Sequence, residues 1–175
     1  MHLAILPTAE SHFEELRRVQ DIVAREKRYL AFLQAPPPEQ AFDFFQNIVT
    51  NGLCQFLALQ DGVLVGWCDI LPTHGEARTH VGILGIGLIP QARHLGIGAK
   101  LMEAALSQAW TQGFTRIELS VRTDNTNAKT LYERFGFTHE GVNRNAFYVD
   151  GKFYDTYSMA LLHRDSVQST DSLIA

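Results

Sequence analysis

The chain has little of what marks several large classes of protein. It carries only two cysteines, Cys54 and Cys68, in 175 residues. They have neither the spacing of a metal knuckle nor the number needed for a disulfide framework, so reduced core thiols are expected. No apolar run approaches the ~18 residues that cross a bilayer, so no membrane association is expected. The segment Met1 to Pro7 lacks a basic lead and a long apolar stretch, so no signal peptide is expected. Excess basic charge is missing too: 15 Lys and Arg against 19 Asp and Glu give a formal net charge of −4. A general nucleic-acid binder needs a basic footprint, so nucleic acid is not an expected partner. The histidines are scattered with no HExxH or comparable cluster, and no metal is expected. Neither a Gly-x-Gly-x-x-Gly dinucleotide fingerprint near the start nor a Gly-Lys-Ser/Thr phosphate loop is present.

What remains is an ordinary globular composition, 46% hydrophobic and 19% charged. That suits one cytoplasmic domain, expected over residues 1–164, with a polar tail over 165–175. Leu3–Ile5 has the pattern of a short strand. Thr8 and Ser11 are candidate caps for a helix to about Arg25, with Phe13, Leu16, Val19, Ile22 and Val23 at helical spacing. Pro36-Pro37-Pro38 stops any regular element, and a second helix is expected over Glu39–Val49. Gln55–Gln60 and Val63–Leu71 flank Asp61-Gly62 as a hairpin. Val81–Ile89 is apolar on both faces with glycines at 82, 85 and 87, which predicts a central strand with a bulge or a close backbone neighbour. Leu95–Thr111 is the clearest helix, with Leu101, Met102, Ala105, Leu106 and Ala109 as its buried stripe. Arg116–Val121 alternates as a strand. Asn127–Phe135 has the pattern of a short helix, and Phe137–Val142 and Tyr154–Leu162 that of final strands. Alternating strands and helices with hairpins predict an α/β (α+β) fold with a mixed sheet covered by helices.

The most informative stretch joins the central strand to the long helix: Ile89-Pro90-Gln91-Ala92-Arg93-His94-Leu95-Gly96-Ile97-Gly98-Ala99-Lys100. The first N–H groups of a helix have no internal partner, and the dipole favours an anion there. Glycines permit close approach, and Arg93 can add a bidentate contact. A phosphate or pyrophosphate fits such a place.

Two motifs in this order resemble the GNAT superfamily of acetyl-coenzyme A dependent N-acetyltransferases. One is Arg93-x-x-Gly96-x-Gly98. The other is Asn125-Thr126-Asn127-Ala128-Lys129-Thr130-Leu131-Tyr132-Glu133-Arg134-Phe135-Gly136-Phe137. The resemblance implies a mostly antiparallel mixed sheet, splayed at the cofactor site and flanked by helices. It implies acetyl-CoA as co-substrate, with backbone groups of Leu88 and Ile89 on the pantetheine arm. The pyrophosphate would lie over Arg93, His94, Leu95, Gly96, Ile97, Gly98, Ala99 and Lys100. His94 stands where the family often has glycine, but its N–H remains. Asn127 is implied as a cofactor contact, or else as a helix cap.

The resemblance also implies a chemistry. Tyr132 would protonate the departing CoA thiolate, since a phenol (reference pKa near ~10) lies above a thiol near ~8.5. The N–H of Leu88 or its neighbour would polarise the thioester carbonyl. The family often places a glutamate base on the strand matching Val81–Ile89, which here has no carboxylate. His80 at its start and Asp69 on the preceding strand are candidates, as are a water chain or an amine already neutral; Glu26 and Tyr148 are candidates to line the acceptor pocket. The acceptor is expected to be a primary amine, a small molecule or a peptide N-terminus, attacking directly without an acyl-enzyme. The 140–155 segment is similar to phosphinothricin-type and ribosomal-protein N-acetyltransferase branches. The resemblance implies a homodimer. The rival expectation is an acyl-CoA-binding sensor or structural module without catalysis.

Overall fold

The computed structural model describes residues 2–165. Seven strands form one sheet: β1 Leu3–Pro7, β2 Cys54–Gln60, β3 Val63–Pro72, β4 Val81–Leu88, β5 Arg116–Arg122, β6 Thr138–Val149 and β7 Lys152–Leu162. Their order is β1-β2-β3-β4-β5-β7-β6. Every neighbouring pair is antiparallel except β4 with β5, which is parallel. The helices are α1 Phe13–Arg25, α2 Pro38–Thr50, α3 Ile97–Thr111 and α4 Thr126–Arg134. The expected mixed, mostly antiparallel sheet is therefore the architecture observed.

Two cores sandwich the sheet. On one face Phe13, Leu16, Val19 and Val23 of α1 and Phe45 of α2 meet Leu57, Leu64 and Trp67. On the other, the stripe Leu101, Met102, Ala105, Leu106 and Ala109 of α3 meets Cys54, Cys68, Ile70, Ile117 and Tyr132. Burial of each large apolar side chain contributes about 1.5–3 kcal/mol, which fixes both helix layers against the strands.

One irregularity positions the site. β4 and β5 pair only from Val81–Ile83 with Arg116–Glu118, although β4 continues to Leu88 and β5 to Arg122. Beyond that point the parallel strands diverge and leave a wedge. The glycines of β4 are explained by close approach rather than by a bulge, since its register with β3 is unbroken. A Cβ on Gly87 would lie 2.3 Å from the Trp67 indole, and one on Gly82 would lie 2.6 Å from Ile70.

Some local expectations are corrected. The start of α1 has no side-chain cap; a 3-10 turn over Glu10–His12 precedes it. The hydroxyl of Thr8 donates instead to Gln55 Oε1 at 2.8 Å. Leu95 lies outside α3, because Gly96 turns left-handed at φ 78° before the helix starts. β6 is longer than its alternation suggested, carried through irregular pairing between Asn143 and Phe147. Both cysteines are buried free thiols. The expected polar tail lies outside the described residues except for Asp165.

Candidate active site

The site begins with the alternation of an antiparallel pair. The N–H of Ile89 donates to the carbonyl of Val65 at 3.0 Å, and Leu88 lies opposite Gly66. Hydrogen-bonded and non-bonded positions alternate along such a ladder. The N–H and C=O of Leu84, Ile86 and Leu88 therefore point away from β3, toward the wedge. A substrate that lies along the wedge can exchange backbone hydrogen bonds with these groups as a further strand would. Ile89 is corrected: its N–H is held by Val65 and its carbonyl accepts from Ala92 at 3.0 Å. Leu88 carries the wedge-facing role.

Past β4 the chain makes a short turn at Pro90–Ala92 and reaches the glycine-bearing loop. His94 has φ 61° and Gly96 φ 78°, while Leu95 between them does not have positive φ. Alternating handedness of this kind turns successive N–H groups to one side and forms a concave anion nest. Lys100 N–H donates to Gly96 O at 3.3 Å, the first intrahelical bond of α3. The N–H groups of Ile97, Gly98 and Ala99 belong to the orphan turn that an anion can satisfy. His94 thus adopts a left-handed backbone conformation that favours glycine, at a cost of about 1–2 kcal/mol. Gly98 faces α4 and the end of β4: a Cβ there would lie at ordinary contact, 3.4 Å from Leu131 and 3.6 Å from Leu88. The nest, the end of β4 and α4 are thereby brought together. The side chains of His94, Leu95 and Lys100 are exposed, and Lys100 pairs with Glu103 at 3.0 Å.

The Arg93 side chain departs from expectation. Its guanidinium makes a two-pronged ion pair with Glu26. It also donates to the Leu88 carbonyl from Nε at 3.0 Å and from Nη2 at 2.8 Å, and it covers the Tyr29 ring at 4.7 Å. With its donors directed to those partners, the guanidinium pins the α1–α2 connection to the end of β4 instead of reaching over the nest. The Leu88 carbonyl is likewise engaged, leaving its N–H as the group presented to the wedge.

Tyr132 is buried on α4, with its ring 5.9 Å from that of Phe137. Burial raises its phenol pKa, and the Cys68 thiol adds to the rise. It therefore stays protonated at neutral pH. Asn127 is corrected as a cap: Asn125 Oδ1 accepts from the Ala128 N–H at 3.3 Å and caps α4. Asn127 lies exposed on the first turn.

His80 is corrected as a base candidate. It precedes β4 at the end where β4 and β5 remain joined, and its carbonyl accepts from Thr115 and Arg116. At ~3.3 Å per residue it lies about 26 Å along the strand from Leu88, too far for proton transfer. Asp69, by contrast, lies opposite Gly85 in the middle of the diverging stretch.

Contacts that sequence reasoning missed close the other side of the wedge. Arg122, buried at the end of β5, holds Asp124, donates to the Lys27 carbonyl at 3.1 Å and stacks on Tyr154 at 3.6 Å. Lys27 in turn pairs with Asp150 in the β6–β7 turn at 2.8 Å. Apart from the Arg122–Asp124 pair, these contacts join residues far apart in sequence. Of the two candidates for the acceptor pocket, Glu26 is the partner of Arg93, and Tyr148 is 63% exposed and packs on Phe153.

A splayed parallel pair, an anion nest at the following helix and a buried tyrosine on α4 make an acyltransferase-like arrangement. The Acetyltransferase (GNAT) family matches residues 16–137, and the chain belongs to that family. It is 29% identical to L-amino acid N-acetyltransferase AaaT of Escherichia coli strain K12 over 144 residues, 81% of this chain and 88% of that protein. A GNAT-family acetyltransferase structure from Streptococcus pneumoniae is 27% identical with a TM-score of 0.84, covering 92% of this chain and 99% of the other. A phosphinothricin acetyltransferase from Sinorhizobium meliloti, solved in complex with acetyl-CoA, shares the fold at 19% identity and a TM-score of 0.86, covering 93% and 90%. These likenesses support a GNAT-type acetyltransferase without singling out a branch. Among the described residues no helix is long and apolar enough to cross a membrane.

Proposed function

We propose that the protein transfers the acetyl group of acetyl-CoA to the α-amino group of a small amino acid-like acceptor or a peptide N-terminus, by direct attack with both substrates bound. The observation that carries this reading is the wedge: backbone groups of Leu84, Ile86 and Leu88 face it, and it ends at the nest of His94–Ala99. Pantetheine lies along the first and the diphosphate on the second. The N–H of Leu88 or Ile86 polarises the thioester carbonyl where negative charge develops. Tyr132 gives its proton to the leaving sulfur. Much of the rate comes from holding amine and thioester in contact. The name of the Escherichia coli relative, an L-amino acid N-acetyltransferase, favours an α-amino acceptor over polyamines and aminoglycosides.

The test is acetyl-CoA with pooled acceptors (proteinogenic L-amino acids, short peptides, polyamines and aminoglycosides), read as free CoA thiol. Release well above the hydrolysis blank, largest with α-amino acceptors, is expected. Tight acetyl-CoA binding with no release across the pools would replace the enzyme by the acyl-CoA-binding module.

A further inference from the structure

We propose that Asp69, carried on β3 rather than on β4, is the general base that deprotonates the acceptor amine. The proposal rests on the acetyl-transfer reading above and supplies the group that the apolar β4 lacks. Side chains alternate along β3, so Trp67 and Asp69 share the face covered by α1, opposite Cys68 and Ile70. Directly across from Asp69 is Gly85. A Cβ at Gly85 would lie 3.0 Å from Asp69 Oδ1. The carboxylate therefore lies over the space that a side chain on β4 would occupy, and a larger residue at Gly85 would crowd it. Gly85 stands between Leu84 and Ile86, whose backbone groups face the wedge. The acid thus sits one strand-width from where the thioester carbonyl would be held, within reach of an amine directly or through one water.

The carboxylate is held in place. Gln55 Nε2 donates to Asp69 Oδ2 at 3.2 Å, and Gln55 Oε1 accepts from the Thr8 hydroxyl. The Trp67 side chain donates to it as well. Gln55 is 1% exposed, so this arm is rigid. Burial pushes the Asp69 carboxyl up to about 7, partly offset by the bonds from Gln55 and Trp67. The titratable groups that interact with it are the thiols of Cys54 and Cys68, both kept protonated by burial. The buried, sheet-facing residues of α1 are Phe13, Leu16, Val19, Gln20, Val23 and Ala24, none of them charged.

The proton balance closes. Asp69 takes one proton from the acceptor ammonium and becomes a neutral acid. The freed lone pair forms the C–N bond to the thioester carbon. The C–S bond breaks with its electron pair on sulfur, which takes the Tyr132 proton. The phenolate then recovers the proton that the new amide nitrogen sheds. Asp69 returns its own proton to solvent, so one proton is released per turnover.

The experiment compares wild type, Asp69→Asn and Gln55→Leu, with acetyl-CoA and the most reactive acceptor from the pools, across about pH 5.5 to 9.5. In the wild type, kcat/KM rises through a limb near neutrality. Asp69→Asn is expected to lose about 10²–10³-fold and that limb, while calorimetry finds acetyl-CoA affinity unchanged. Gln55→Leu removes a bond that favours the carboxylate, so the limb moves to higher pH. An Asp69→Asn enzyme that keeps the limb, or a Gln55→Leu limb that stays in place, overturns the proposal. Should Asp69→Asn fail to fold, the Gln55→Leu profile decides alone. A wild type that releases no CoA with any pool removes the transferase reading itself, and this proposal with it.

Discussion

Replacing Asp69 with Asn should change stability in a pH-dependent way whose sign and size can be worked out. The folded carboxyl is pushed up to about 7, against ~3.9 in an unfolded chain. Between these values the folded state binds more protons than the unfolded state, so stability falls as pH rises. The contribution is fully present below about pH 4 and is lost through pH 7. From pH 4.5 to 8 the wild type should lose about 3 kcal/mol by this route (2.5 pH units at ~1.36 each), an upper bound because the side chain keeps some contact with solvent. Asn is neutral throughout, and other titrations largely cancel in the difference between the proteins. Urea unfolding of both proteins at several pH values measures that difference. Asp69→Asn should gain on the wild type steadily up to pH 7 and level off above it. Curves that stay parallel across the range would refute the claim that this carboxylate is desolvated.

Other expectations follow from the same geometry. Tyr132→Phe should lower kcat by about 10²-fold while leaving acetyl-CoA affinity within twofold, measured by turnover and calorimetry side by side. Gly87→Ala places a methyl 2.3 Å from the Trp67 indole and should cost about 1–3 kcal/mol in denaturant unfolding. His94→Gly relieves a left-handed φ of 61° and should be neutral or stabilising by up to about 1 kcal/mol in thermal unfolding. Glu26→Ala frees Arg93 and unpins the α1–α2 connection, so amide exchange over residues 26–36 should speed up while exchange in α3 stays unchanged.

The parts of the fold legible in the sequence are those with a local cause. The stripe of α3, the Asp61-Gly62 turn and the alternation of β5 each follow from spacing within one element. The left-handed turn and free N–H groups of the Arg93–Gly98 loop are legible because they are a property of the loop and the helix start. What depends on register was hidden. Nothing in His80 itself says that it lies at the joined end of β4 and β5, since that follows from where their pairing stops. Arg93 looked like a phosphate ligand because Glu26, its partner, is distant in sequence. The cap of α4 was displaced from Asn127 to Asn125, where either asparagine suits the pattern and backbone geometry chooses. The second half of β6 was lost because Asn143, Arg144 and Asn145 break the alternation that marks a strand. Asp69 was visible only as one candidate; Gly85 opposite it, which brings it to the wedge, appears once the register is known.

The central claim is that the wedge and the main-chain nest at the start of α3 hold acetyl-CoA. Calorimetric titration of acetyl-CoA into wild type and Gly96→Asp tests it most directly. Gly96 has φ 78°, so aspartate there both strains the turn and sets a negative charge beside the diphosphate. Saturable one-to-one heat in the wild type that disappears in a still-folded Gly96→Asp is the predicted result. No heat in the wild type, or equal affinity in both proteins, would contradict it.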